Sequence, residues 1–131
     1  MLRVLVIEDE AMIRQLIRQI LEQSGHRVGE AANGRIGLQS LRQAEFDLVI
    51  TDLVMPETDG LEVLGVIKRQ WPELPVIAMS GGGRLGDGDN LQAARDLGAA
   101  ATLAKPFTLR ELRQMVEDVC AQSLRARAAL C

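Results

Sequence analysis

One histidine, two cysteines, one tryptophan and no tyrosine stand among the 131 residues. Each scarcity removes a class of chemistry. His26 has no second histidine and no neighbouring cysteine, so a zinc site of the His/Cys type is excluded. His26 reads instead as a surface or turn residue. The cysteines, Cys120 and Cys131, both lie in the C-terminal part, and a disulfide framework needs more of them at other spacings. The expectation is a core Cys120, an exposed Cys131 thiol and a reducing, cytoplasmic compartment. No apolar run approaches the ~20 residues of a membrane span. The opening Met-Leu-Arg-Val-Leu-Val-Ile turns acidic too soon for a signal peptide. A net charge of −3 carries no clustered basic face, the footprint of a nucleic-acid binder. We therefore expect neither nucleic acid nor membrane as a partner. Linkers and low-complexity segments are also missing, and this length makes one domain.

What is present is alternation. Residues 2–7, 26–31, 46–51, 75–79 and 99–104 are short, mostly apolar runs, the first and third the most strongly β-branched. They read as buried strands, because the stronger ones show no apolar/polar alternation. After each comes an apolar pattern of helical period. Met12, Ile13, Leu16, Ile17, Ile20 and Leu21 carry the first, and Ile36, Leu38 and Leu41 the second. Leu61, Val63, Leu64 and Ile67 carry the third, Leu91, Ala94 and Leu97 the fourth, and Leu109, Leu112, Val116 and Val119 the fifth. Gly37 weakens the second pattern, since glycine is a poor helix former. Gly25 and Gly98 stand where helices end. Thr108 with Glu111 three residues on forms a capping box. Trp71, before Pro72, packs at the end of the third helix.

Strands alternating with helices predict the α/β class, as a doubly wound five-stranded parallel sheet with five helices. The domain covers 1–122, and 123–131 continue the last helix or form a tail. In the flavodoxin-like order 2-1-3-4-5, strands one and three flank the switch point where ligands bind.

Four strands end in polar residues of complementary kinds. Glu8 and Asp9 follow the first, Asp52 the third, Ser80 the fourth and Lys105 the fifth. An acid after a strand is more often a turn former or helix cap than a reagent. Here the sheet order brings three carboxylates to one end, where like charges raise each other's pKa unless a cation joins them. Hard carboxylate oxygens suit Mg²⁺, which keeps several waters and accepts phosphate oxygens. With an ammonium and a hydroxyl beside them, these groups are the kit for an aspartyl phosphate. The run Gly81-Gly82-Gly83-Arg84-Leu85-Gly86-Asp87-Gly88-Asp89-Asn90 is no phosphate-binding P-loop, because the Gly-Lys-Ser/Thr ending is absent. It is no calcium loop either, since the bidentate glutamate and most other ligand positions fail. It reads as a mobile connector.

The set Glu8-Asp9, Thr51-Asp52, Met55-Pro56, Asp59-Gly60, Ser80 and Lys105-Pro106-Phe107 closely resembles the receiver domain of two-component response regulators. The resemblance covers roughly residues 2–122. It implies that Asp52 is the phosphoacceptor, and that Asp9, Asp52 and the Val54 backbone carbonyl bind Mg²⁺, with Glu8 acting largely through water. Ser80 and Lys105 would hold the phosphoryl oxygens. A histidine kinase or histidine phosphotransfer protein would be the donor, and a downstream protein the target. The domain would catalyse only its own phosphorylation and dephosphorylation. It would act as a stand-alone switch in a phosphorelay. One departure stands out: where the family carries an aromatic residue that reports phosphorylation, this chain has Thr102. We expect Gly81, Gly82 and Gly83, with the fourth helix, to form the switch surface in its place. Two other readings compete. One is a structural module that keeps the fold without phosphorylation. The other is a metal-dependent phosphatase, whose Asp-x-Asp-x-Thr pattern this chain lacks.

Overall fold

Arg3–Ile7 forms strand β1, and its four residues from Val4 to Ile7 are fully buried although adjacent. Burial of consecutive side chains requires cover on both faces of the sheet, as a parallel sheet has. The computed structural model of the chain describes residues 1–55, 58–81 and 87–130. The elements follow in the order α1 (Ala11–Gln23), β2 (Arg27–Ala31), α2 (Gly34–Gln43), β3 (Leu48–Asp52), β4 (Val54–Met55), β5 (Thr58–Asp59), α3 (Gly60–Gln70), β6 (Val76–Gly81), α4 (Asp87–Asp96), β7 (Ala101–Lys105) and α5 (Leu109–Leu130).

The main sheet is ordered β2-β1-β3-β6-β7, and every pairing in it is parallel. Counting only its own strands, this is the expected 2-1-3-4-5. The antiparallel ribbon of β4 and β5 was not anticipated. Its two-residue strands are too short to show a period.

Alternate residues of each inner strand feed two separate cores. Leu5, Ile7, Val49, Val76 and Ala78 pack with Leu41 of α2, Val63, Leu64 and Ile67 of α3 and Ala94 of α4. Val4, Val6, Leu48, Ile50, Ile77 and Met79 pack with Ile17, Ile20 and Leu21 of α1 and Leu112, Val116 and Val119 of α5. Cys120 is half-buried against this second core, and Trp71 half-buried against the first. Each buried aliphatic side chain contributes about 1.5–3 kcal/mol relative to exposure.

Local signals explain the boundaries. Gly25 and Gly98 adopt φ of 90° and 104°, the left-handed region that ends helices. Asn33 caps α2 by accepting from the Ile36 amide at 2.9 Å, and Thr108 Oγ1 accepts from Glu111 N at 3.0 Å. Gly37 is there for packing. A Cβ on it would lie 2.4 Å from Ile7 Cδ1, so its absence lets α2 settle on β1.

Several boundaries correct the sequence reading. β3 runs on through Asp52, β6 through Ser80 and Gly81, and β7 through Lys105, one or two residues beyond the expected runs. Pairing explains it, because neighbouring strands lend these residues ladder partners that the sequence does not display. The expected connector is shorter than its glycines suggested. Gly81 belongs to β6 and α4 already begins at Asp87, while Gly82, Gly83 and Pro56 lie outside the described residues, as does Cys131. α5 continues past residue 122 to Leu130.

Candidate functional site

β1 and β3 are neighbours, and at their C-terminal ends three acids converge. Glu8, Asp9 and Asp52 each offer a carboxylate oxygen, and these oxygens lie within 4.8 Å of one another. Glu8 is fully buried and Asp52 is 5% exposed, whereas Asp9 lies at the surface. The site is thus open at Asp9 and closed behind Glu8. Glu8 and Asp9 precede α1, whose first turn holds no acid.

Lys105 reaches this cluster from the end of β7. Its Nζ donates to Glu8 Oε1 and, at 3.2 Å, to Asp52 Oδ2. The Val54 amide donates to Asp52 Oδ1 at 3.2 Å, so both oxygens of Asp52 are held. Burial pushes the Glu8 carboxyl up to about 8. Its bond with Lys105 works against that rise, and the neighbouring Asp52 adds to it. Burial alone would lower the Lys105 ammonium. Its partners Glu8 and Asp52 outweigh burial, hold it above its ordinary value and keep it charged.

Two buried polar atoms at this end have no hydrogen-bond partner, Glu8 Oε2 and Ser80 Oγ. An unmet buried group costs about 1–3 kcal/mol, so its retention calls for an account. The hydroxyl is a free donor beside an acidic cluster, and the carboxylate oxygen a free acceptor. All-oxygen donors with acceptor capacity to spare fit a hard divalent cation such as Mg²⁺.

The remaining expected residues fall in two groups. Val54 sits in β4 with its side chain half exposed. Thr102 is half-buried in β7, in register with Ala78 of β6. Gly81 pairs with Lys105 at the end of β6, so of the two described switch residues it is Gly81, not Thr102, that borders the acids' end of the sheet. His26 is no ligand, since its Nδ1 accepts from the Leu2 amide at 3.2 Å beside β1's start.

Sequence reasoning missed Arg14. Its Nη1 donates to the Glu8 backbone carbonyl at 2.7 Å and its Nε to Glu30 Oε1 at 3.1 Å. Nothing in the spacing of α1 announces this, because the partner carboxylate comes from β2. An apolar hollow of about 310 Å³ beside Lys105, lined by Ile13, Leu16, Gly81, Pro106 and Phe107, was also unforeseen.

Comparison with known proteins agrees with this geometry. The response regulator receiver domain family model matches residues 4–117. The KDP operon transcriptional regulatory protein KdpE of Escherichia coli is 42% identical over 113 residues, covering 86% of this chain and 48% of that protein. Sporulation initiation phosphotransferase F of Bacillus subtilis is 33% identical over 115 residues, covering 88% and 90%. The crystal structure of a response regulator receiver domain protein from Clostridium thermocellum superposes with a TM-score of 0.84 at 32% identity, covering all of both chains. The chain spans about half the length of the transcriptional regulators among these relatives.

Proposed function

The chain belongs to the response regulator receiver domain family, and on that premise we propose that Asp52 is the phosphoacceptor of a two-component or phosphorelay pathway. The observation that carries this reading is the convergence on Asp52 of two further carboxylates and the Lys105 ammonium.

Asp9, Asp52 and the Val54 carbonyl would hold Mg²⁺, with Glu8 behind them through water. When bound, the ion would neutralise negative charge on the carboxylates and on phosphoryl oxygens. The other roles fall to the chain itself. One Asp52 oxygen attacks the phosphorus of a phosphohistidine whose other ring nitrogen is protonated, the P–N bond breaks with its electron pair going to nitrogen, and a neutral imidazole leaves. Lys105 moves its hydrogen bonds from carboxylate to phosphoryl oxygens, and the free Ser80 hydroxyl donates to another. Hydrolysis returns Asp52 and inorganic phosphate. The domain would catalyse only its own phosphorylation and dephosphorylation, at Asp52.

The donor would be a histidine kinase or histidine phosphotransfer protein, docking over the apolar hollow that adjoins Lys105. Exposed Met12 and Leu16 on α1 extend that face. A downstream protein target would read the state. Without an aromatic at Thr102, the change would leave through Ser80, Gly81 and the segment leading to α4. A shift from 1:99 to 99:1 takes about 5.5 kcal/mol. Two charge-assisted bonds at roughly 1.5–3 kcal/mol each supply about 3–6 kcal/mol, which reaches that figure only at its upper end. The phosphorylated domain would thus shift in part, and partner binding would complete the change.

The test is acetyl phosphate with Mg²⁺, read by intact mass. The parent chain should gain one phosphoryl group and Asp52→Asn none, and amide exchange at Gly81 and along α4 should slow in the modified sample. A folded parent that gains nothing would be a structural interaction module. Unchanged exchange in a fully modified sample would reject the switch route alone.

A further inference from the structure

Glu8 holds its place at the end of β1 through its backbone as well as its side chain. Its amide donates to the Ala31 carbonyl of β2 at 3.0 Å, and its carbonyl accepts from Arg14 Nη1 at 2.7 Å. Glu8 is therefore held on both sides: β2 holds the Ile7–Glu8 peptide through the Glu8 amide, and α1 holds the Glu8–Asp9 peptide through the Glu8 carbonyl. Because a trans peptide is a rigid plane, fixing the Glu8 carbonyl fixes the direction in which the chain delivers Asp9. Asp9 is the exposed member of the acidic cluster, and no hydrogen bond or ion pair among the described residues holds its side chain.

Arg14 is itself held. Its Nε donates to Glu30 Oε1 at 3.1 Å, and Arg18 donates to the other oxygen of Glu30 and to Glu22. Only 18% of the Arg14 side chain is exposed, and Glu30 is 25% exposed. Arginine's planar fork can serve a carbonyl and a carboxylate at once, which a lysine head cannot do with the same rigidity. The chain of contacts runs from Arg18 through Glu30 and Arg14 to the Glu8 carbonyl, linking α1 and β2 to the acidic end of β1.

We propose that Arg14 is a positioning residue for the cation site, acting through the Glu8–Asp9 peptide, with Glu30 as the group that orients it. This rests on the reading of Glu8, Asp9 and Asp52 as a Mg²⁺ site. The sign of the effect separates positioning from simple electrostatics. Arg14 places a positive charge beside a site for a cation, so charge alone would make its removal tighten Mg²⁺ binding. Positioning makes its removal weaken binding, on the scale of about tenfold seen when groups behind metal ligands are lost.

The experiment titrates Mg²⁺ calorimetrically into the full chain and its Arg14→Gln, Arg14→Lys and Glu30→Gln variants, alongside thermal melting. Backbone NMR of the metal-free proteins reports the Asp9 and Glu10 amides. Arg14→Gln should bind Mg²⁺ about tenfold more weakly and shift both amides. Arg14→Lys, which keeps the charge but loses the fork, should also weaken binding, by less. Glu30→Gln should move affinity in the same direction and keeps the test alive if Arg14→Gln fails to fold. Affinity within twofold of the parent, or tighter, in folded Arg14→Gln overturns the inference while the parent's Mg²⁺ binding and phosphorylation leave the proposed function standing. A parent that binds no Mg²⁺ removes the reading itself, and the role of Arg14 with it.

Discussion

At the residue scale, His26 shows how one hydrogen bond sets a charge state. Its Nδ1 accepts from the Leu2 amide, so that nitrogen must be unprotonated. Burial pushes the imidazole below its ordinary value, the nearby N-terminal ammonium adds to this, and Glu117 opposes it. The unfolded chain then binds more protons than the native one as pH falls below the ordinary histidine range. Stability is complete above that range and is lost as pH drops through it toward the lowered native value. We predict that His26→Gln, which retains an acceptor and cannot titrate there, will flatten the fall in melting temperature between pH 7 and pH 5. The loss it removes is on the order of 1 kcal/mol, the net worth of one hydrogen bond. Equal slopes for parent and variant would contradict this.

At the scale of elements, the start of α3 packs closely against the end of β3 at Gly60. A Cβ on Gly60 would stand 2.4 Å from Leu53 Cα and 2.7 Å from the Asp52 carbonyl oxygen. Backbone cannot yield as a side-chain tip does. At Gly37 the obstacle is the flexible end of Ile7, which can change rotamer. Gly60→Ala should therefore cost about 1–3 kcal/mol, as overpacking does. It should also slow acetyl-phosphate modification of Asp52 by tenfold or more, because small misplacements of a reacting group are expensive in rate. Gly37→Ala should lower stability but leave that rate within a few-fold of the parent. Melting curves and phosphorylation time courses on both variants make the comparison, and a faster or unchanged rate in Gly60→Ala would refute it.

For the whole molecule, both the chemistry and the apolar hollow lie at one end of the sheet. This has a kinetic consequence. On the proposed function, acetyl phosphate would need only the acids, Ser80 and Lys105, whereas a protein donor would also have to cover part of the surface. Leu16→Glu, at a half-exposed position on the hollow's rim, should slow transfer from a phosphohistidine protein at least tenfold, the scale of an interface anchor. Transfer from acetyl phosphate should stay within twofold. Equal slowing of both would place Leu16 in the fold's support of the site rather than in docking.

Much of this was legible in the chain itself. Val4 to Ile7 and Leu48 to Ile50 are apolar without alternation, and only a sheet covered on both faces can bury them. That pattern, with helical periods between, determined the fold class and the strand order expected of it. The ordered set of Glu8, Asp9, Asp52, Ser80 and Lys105 determined which residues share an end, because each follows or closes a strand of the same parallel sheet. The ends of strands were misjudged by a residue or two, since pairing with neighbours extends a strand beyond what its own side chains reveal. The close contacts were decided by tertiary structure alone. Lys105 meets Glu8 across 97 positions of sequence, and Arg14 meets Glu30 across 16. Such contacts depend on strand register and on how α1 lies over β1 and β2, quantities with no local period to read. The same packing closes off Glu8 from water, and that burial, which no sequence spacing encodes, raises its pKa.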